Sequence, residues 1–277
     1  MNEKKHSFHH LSEDETEIII NGGEGGCDMS ILTELSNTER SEYFRHRKDY
    51  EIFGRVLAST SDLPAKILMV GIANMEEPLS VLTVANRVSF QREVNLSEIV
   101  SIDFVDIRSR GEIKPEYSLG EQLKGGMSLL FASQEQISSM ELEPRRPHYV
   151  KRYPEAFVIE DGQYKFSNPI IEFLDQQMLS ESARFNTSLQ EFIEMENDER
   201  YDFVFCNNVL TYVEKQDRAS SASGLVDLLK QNGILFLHYS KHITDSKGVS
   251  GPEQLMRENP DLAERLEMIS PAIYRVR

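Results

Sequence analysis

Lys66-Ile67-Leu68-Met69-Val70 is a continuous apolar run closed by Gly71, and Leu79, Leu82, Val84, Ala85 and Val88 then recur at helical spacing. The pattern predicts a strand over 66–70, a glycine turn and a helix over about 77–90. Val100 to Asp106 alternates as a half-buried strand does and ends in an acid. Residues 111–152 carry little periodicity and read as helix and loop broken at Gly125-Gly126. Phe157 to Phe166 reads as a hairpin, because Asp161-Gly162 suits a type I′ turn between two alternating runs. Ile170 to Leu174 reads as a further strand, followed by a helix over about 187–196 and a strand over 201–206. A helix over about 215–230 is expected to stop at Gln231-Asn232-Gly233 in a left-handed cap. A strand over 234–239, a helix over about 252–267 and a last strand over 272–276 complete the series.

Upstream, Ser36-Asn37-Thr38-Glu39 fits a capping box. It predicts a helix to about Ala58 with Tyr43, Phe44, Ile52, Phe53 and Val56 on its apolar side, before a break at Asp62-Leu63-Pro64. Strands alternating with helices predict an α/β fold, a doubly wound and mostly parallel Rossmann-like sheet. The expected organisation is a disordered acidic tail over 1–35, a short helical segment over 36–62 and a main domain over 63–277. That domain carries an insertion at about 111–168, which includes the β-hairpin.

Charge narrows the partners. Among 277 residues, 46 Asp and Glu outnumber 30 Lys and Arg, for a net charge of −16. Such a surface opposes nucleic-acid backbones and anionic membranes. The one basic stretch is Pro144 to Arg152. No apolar run approaches the ~18–20 residues of a membrane span, and Met1 to His6 lacks the apolar region of a secretion signal. With only Cys27 and Cys206, no disulfide framework is expected, and a cytoplasmic location is the simplest reading. His6, His9 and His10 lack ligand-spaced partners and read as a solvated tail, so no metal is expected. Asn21 to Gly26 lacks the Lys-Ser/Thr of a phosphate loop and reads as a linker.

In a doubly wound sheet, ligands sit outside the carboxyl ends of the strands. Four such ends are expected to carry suitable groups: Gly71 to Glu77, Asp106, Gln177-Met178, and Cys206-Asn207-Asn208. Glu76 and Glu77 would repel a phosphate but would welcome an ammonium and a sulfonium, which points to S-adenosylmethionine. Asp106, at the end of the second strand, can accept both hydroxyls of a ribose. Asp103 is the competitor, placed mid-strand, and a helix N-cap is the other reading of Asp106.

With these residues in view, the chain resembles the CheR-type chemotaxis receptor methyltransferases, which are S-adenosylmethionine-dependent enzymes of class I. The family's Gly-Glu-Glu-Pro-Tyr-Ser resembles Glu76-Glu77-Pro78-Leu79-Ser80 after Gly71. Its Thr-x-Phe-Phe-Arg resembles Ser41-Glu42-Tyr43-Phe44-Arg45, and its strand ending Asp-Ile resembles Asp106-Ile107. Its Val-x-Phe followed by Asn-Leu-Leu resembles Ile171-Glu172-Phe173 followed by Gln177-Met178-Leu179. Its Phe-Asp-x-Ile-Phe-Cys-Arg-Asn-Val-x-Ile-Tyr-Phe resembles Tyr201 to Val213, and Ile273-Tyr274-Arg275 also fits. The similarity spans about residues 36–277 in the same order.

The resemblance implies roles. Glu77 would hold the methionine amino group, Asp106 the ribose, and Gln177 and Met178 the edge of the adenine. Gly71, Asn207 and Asn208 would also line the cofactor. Arg45 and Tyr212 would face the transferring methyl group, with an arginine fork orienting an acceptor carboxylate. A helix-surface ion pair for Arg45 and a core or rim aromatic for Tyr212 are the plainer readings. The sequence also departs from the family. Met75 stands for its second glycine, Asn207 for an arginine, Gln177 for an asparagine and Tyr239-Ser240-Lys241 for His-Ser-Glu. Two functions remain open on these residues: a methyltransferase acting on the carboxylate of a protein glutamate or another acceptor, or a binding or regulatory module that keeps the fold with a decayed site.

Overall fold

The computed structural model describes residues 47–72, 76–110, 154–160, 163–195, 199–238 and 251–277. The chain runs through α1 (Arg47–Ser59), β1 (Ala65–Val70), α2 (Glu76–Arg92), α3 (Leu96–Ile99), β2 (Val100–Asp106), a 3-10 turn (Pro154–Ala156), β3 (Phe157–Glu160), β4 (Gln163–Phe166) and α4 (Asn168–Met178). It continues through β5 (Arg184–Phe185), α5 (Leu189–Glu194), β6 (Tyr201–Asn207), 3-10 turns at Val209–Thr211 and Lys215–Asp217, α6 (Arg218–Asp227) and β7 (Leu229–His238). It closes with α7 (Gly251–Glu258), α8 (Pro260–Glu264), β8 (Leu266–Ser270) and β9 (Ile273–Val276). No helix among the described residues is long and apolar enough to cross a membrane.

Two compact units share this chain. One comprises residues 1–64, 74–100 and 114–176, and the other 65–73, 101–113 and 177–277. In the first, α1 lies on α2 so closely that Gly54 is obligatory: a Cβ there would stand 2.8 Å from Val84 Cγ1. The contact is secured at its end by Arg92, whose guanidinium donates to the carbonyls of Ala58 and Thr60 at 2.6 and 3.1 Å. Arg87 of α2 donates to Glu155 at 2.7 Å, a nearly buried ion pair that fixes the turn before the β3–β4 hairpin.

The second unit is built on a seven-stranded sheet in the order β5-β2-β1-β6-β7-β9-β8. β1 pairs parallel to β6, β6 to β7 and β2 to β5, whereas β7–β9 and β8–β9 are antiparallel. The order grows from β1 towards β2 on one side and towards β6 on the other, the doubling back that defines a doubly wound fold. The α/β sheet expected from the alternation of periods is therefore present. Beyond Lys66, β1 is apolar because it is central, and Ile67, Leu68 and Met69 are all fully buried. Leu189 and Phe192 of α5, Leu225 and Val226 of α6, Leu255 of α7 and Leu262 of α8 share one core cluster with Leu68, Val105, Val204 and Leu235 of the sheet. Across β6 and β7, Phe205 and Phe236 stack with centroids 4.2 Å apart.

Several expectations need correction. Residues 170–174 belong to α4 and are helical: Asn168-Pro169 opens a helix, and Ile170 and Leu174, four apart, are its buried side. Gln177-Met178 consequently end a helix, where a strand end was expected. The helix over 215–230 is only Arg218–Asp227, because β7 begins at Leu229. Asn232 does adopt a left-handed conformation, with φ 66°, but it makes a bulge inside β7, where pairing jumps from Tyr201↔Leu229 to Phe203↔Ile234. The helix over 252–267 is two short helices followed by β8, whose pattern of buried ends and exposed middle carries no clear strand period. The two-residue β5 and the one-turn α3 are too short to leave a periodic signal. The hairpin is present as β3 paired with β4. The capping box at 36–39, Asp161-Gly162, Pro144 to Arg152 and Tyr239-Ser240-Lys241 lie outside the described residues.

The Phe205–Phe236 stack ties two central strands whose ends carry site residues. Phe236→Ala is expected to cost about 3–5 kcal/mol through lost burial and the cavity left behind. Urea unfolding of the two proteins, with the midpoint and slope compared, checks this.

Candidate functional site

The order of the sheet reverses between β1 and β6, so the crevice expected in such folds lies outside the carboxyl ends of those two strands. Gly71 ends β1 there in a left-handed conformation, with φ 71°. Its amide donates to the carbonyl of Val105 at 2.8 Å, and a Cβ on it would stand 2.3 Å from Val209 Cγ2. Only glycine meets both demands. The turn therefore needs its glycine to accommodate Val209 of the loop after β6.

Asp106, 3% exposed at the end of β2, is the most highly connected polar side chain of this region. Oδ2 accepts from the Ile72 amide at 2.9 Å and from Arg108 Nη2 at 2.8 Å. Oδ1 accepts from the Arg108 amide and from Arg108 Nε, each at 2.9 Å. Burial disfavours the charged carboxylate, but the Arg108 hydrogen bonds and charge, together with the Ile72 amide, outweigh it and hold the carboxyl below its ordinary value. Asp103 instead accepts from the Tyr201 hydroxyl at 2.8 Å in the middle of β2. It points its function at the strand-to-strand contact, away from the carboxyl end.

On the neighbouring strands, Asn207 is buried opposite His238, the last described residue of β7. Asn208 adopts φ 64°, and its amide donates to the His238 carbonyl at 2.5 Å. That residue turns the chain into the Val209–Thr211 helical turn and so sets Val209 on Gly71. Tyr212 closes the turn and is 89% exposed, so the core reading of this aromatic is excluded. Arg218 fixes the loop from below, donating to the carbonyls of Val213 and Thr211 at 3.0 and 3.3 Å.

The second unit thus brings together Gly71, Asp106, Asn207, Asn208 and the loop that carries Tyr212. The side-chain oxygen of Gln177 accepts from the Ile102 amide at 2.9 Å, supplying a partner to β2 beyond the two-residue β5. Met178 is buried beside it in sequence. In the first unit, Glu77 is buried in the first turn of α2, where the helix dipole favours a carboxylate. Arg45 and Met75 lie outside the described residues. Ile72, Arg108 and Val209 were not singled out from the sequence. Arg108 alone had a readable signal, a cation two residues beyond the acid that ends β2.

No family model matches the chain, and no curated protein matches it. Among solved structures it is similar to the N-methyltransferase NodS from Bradyrhizobium japonicum WM9, at 12% identity and a TM-score of 0.37, over 86% of this chain and 99% of that one. A magnesium protoporphyrin IX methyltransferase from Synechocystis PCC 6803 with bound SAM gives 11% identity and a TM-score of 0.33, over 96% and 89%. An O-methyltransferase of Klebsiella pneumoniae, described as putative in its own structure, gives 7% and 0.33, over 97% and 82%. The fold of the chain rests on its own strand order.

Two outcomes follow from this geometry. Gly71→Ala is expected to destabilise the protein by about 2–4 kcal/mol, from overpacking and from the left-handed backbone together. Val209→Ala in the same chain is expected to recover the packing part only, and a double-mutant cycle in urea measures the split. Asp106 has a folded-state value below the unfolded 3.8, so its stabilisation is present above about pH 4 and is lost as pH falls through the folded value. Between about pH 4 and 2 the wild type should lose stability more steeply than Asp106→Asn, as followed by the urea midpoint at each pH.

Proposed function

We propose that the protein is an S-adenosylmethionine-dependent methyltransferase of CheR-like build, acting on a carboxylate of a protein or a smaller acceptor. The observation that carries the reading is Asp106: a buried, ionised carboxylate at the end of β2, beside the point where the order of the sheet reverses. That is the place and the chemistry for two ribose hydroxyls. Its acceptor positions hold the Ile72 amide and the amide and side chain of Arg108. Glu77, buried at a helix start, suits the ammonium of the cofactor's methionine end. Asn207 and Asn208 supply polar groups at the end of β6.

When bound, the cofactor supplies a methyl group on a sulfonium, open to in-line displacement. A carboxylate acceptor is already ionised near neutral pH, so no general base is required of the protein. The protein's own task is orientation and exclusion of water. Arg45 is assigned to the acceptor, as a fork able to hold a carboxylate in two parallel bonds. Tyr212 is assigned to the acceptor side on its exposure at the rim. The acidic net charge disfavours an acidic receptor helix as the acceptor, so a neutral or cationic carrier of the carboxylate fits better.

Calorimetry with S-adenosylhomocysteine tests the reading. Micromolar binding is expected, weakened about tenfold or more by Asp106→Ala, since charge-assisted bonds contribute roughly 1.5–3 kcal/mol each, and little changed by Asp103→Ala. Absence of binding would favour the non-catalytic module, and labelled methyl donor with cell lysates would then be expected to mark nothing.

A further inference from the structure

A carboxylate offers about four acceptor positions. At Asp106 four donors fill them: the amides of Ile72 and Arg108, and Nε and Nη2 of the Arg108 side chain. The two amides are fixed by the backbone. Ile72 follows the β1 turn, and Arg108 follows β2 by two residues. The two side-chain donors are the movable pair. They reach both carboxylate oxygens at 2.9 and 2.8 Å as a planar fork, and that fork offers the same thing as a vicinal diol: two donors directed at one carboxylate. The Arg108 side chain is 38% exposed, whereas Asp106 is 3% exposed. The guanidinium is therefore the outer, solvent-side occupant of the carboxylate.

From this we infer that Arg108 is an internal competitor for the diol at Asp106, so that it governs cofactor affinity by occupying the ribose position until displaced. The inference rests on the methyltransferase reading above. Its physical content is a population effect. The ribose can bind only in the fraction of molecules whose fork has swung off, and the apparent dissociation constant is the intrinsic one divided by that fraction. Removing the fork removes the competition. It also leaves the carboxylate less well compensated in the ligand-free protein, so ligand-free stability falls while affinity rises. A residue that merely props the loop would lower both together.

The test is calorimetric titration of the full chain with S-adenosylhomocysteine for wild type, Arg108→Met and Arg108→Lys, with thermal unfolding of each protein alone. Methionine keeps length and donates nothing. Lysine keeps the charge but loses the fork. Arg108→Met is expected to bind at least threefold tighter than wild type, which corresponds to a fork released in about a third of molecules or fewer, with Arg108→Lys between them and the ligand-free melting temperature of Arg108→Met lowered. Wild-type binding that is equalled or weakened in a folded Arg108→Met overturns the inference and leaves the methyltransferase reading standing. If Arg108→Met does not fold, Arg108→Gln takes its place, with the same two outcomes. No binding by wild type or by either variant overturns both.

Discussion

The carboxylate of Asp106 joins three things that would otherwise end separately. It holds the Ile72 amide just beyond β1, the backbone after β2 and the Arg108 guanidinium. Strand ends are where a sheet frays, because their amides have no further ladder partner. Here the adjoining amide of Gly71 is taken by Val105 of β2 and that of Asn208 by His238 of β7, so each of these strand ends is held by its neighbour. Val209, just beyond β6, lies against Gly71, just beyond β1. A buried charge is costly alone. Its four donors offset that cost and tie the end of β2 to the turn after β1.

The central strands were legible in the sequence because each is short, apolar and bounded by a turn residue. Lys66 to Val70 before Gly71, and Tyr201 to Cys206 before the two asparagines, carry both signals. Ile170 to Leu174 misled for a physical reason. A five-residue segment with four apolar residues around Glu172 has no measurable period, and the helix announces itself only in Asn168-Pro169 and in the polar Asp175-Gln176-Gln177 that completes its turns. Asn232-Gly233 misled differently. A left-handed residue ends helices and also makes bulges, and local sequence does not distinguish the two uses. β8 escaped because Glu267 and Met268 leave its middle exposed at the edge of the sheet.

Within the candidate site, the place of Asp106 at the end of β2 was legible, because an acid closing an alternating strand is a local signal, whereas tasks that side chains perform for the sheet were not. Gln177 accepts an amide from β2, a task that goes with the shortness of β5. No sequence pattern reports that a strand is two residues long. Arg108 had only a faint signal, as one of two arginines just beyond the acid that ends β2, and the fold shows which of them closes its fork on that acid.

A buried carboxylate carries a desolvation cost that an apolar residue would not. At Asp106 the Ile72 and Arg108 amides offset that cost whether or not a ligand binds, and the charge is further stabilised by an arginine that reaches it from the solvent side. Such a pairing keeps the ligand-free protein stable without altering the acid's place at the end of β2. On the proposed reading it would set stability against affinity, because whatever holds the carboxylate in the empty protein would have to be given up to a diol. The two backbone amides would stay as the anchor of the carboxylate, and the half-buried guanidinium would be the part displaced.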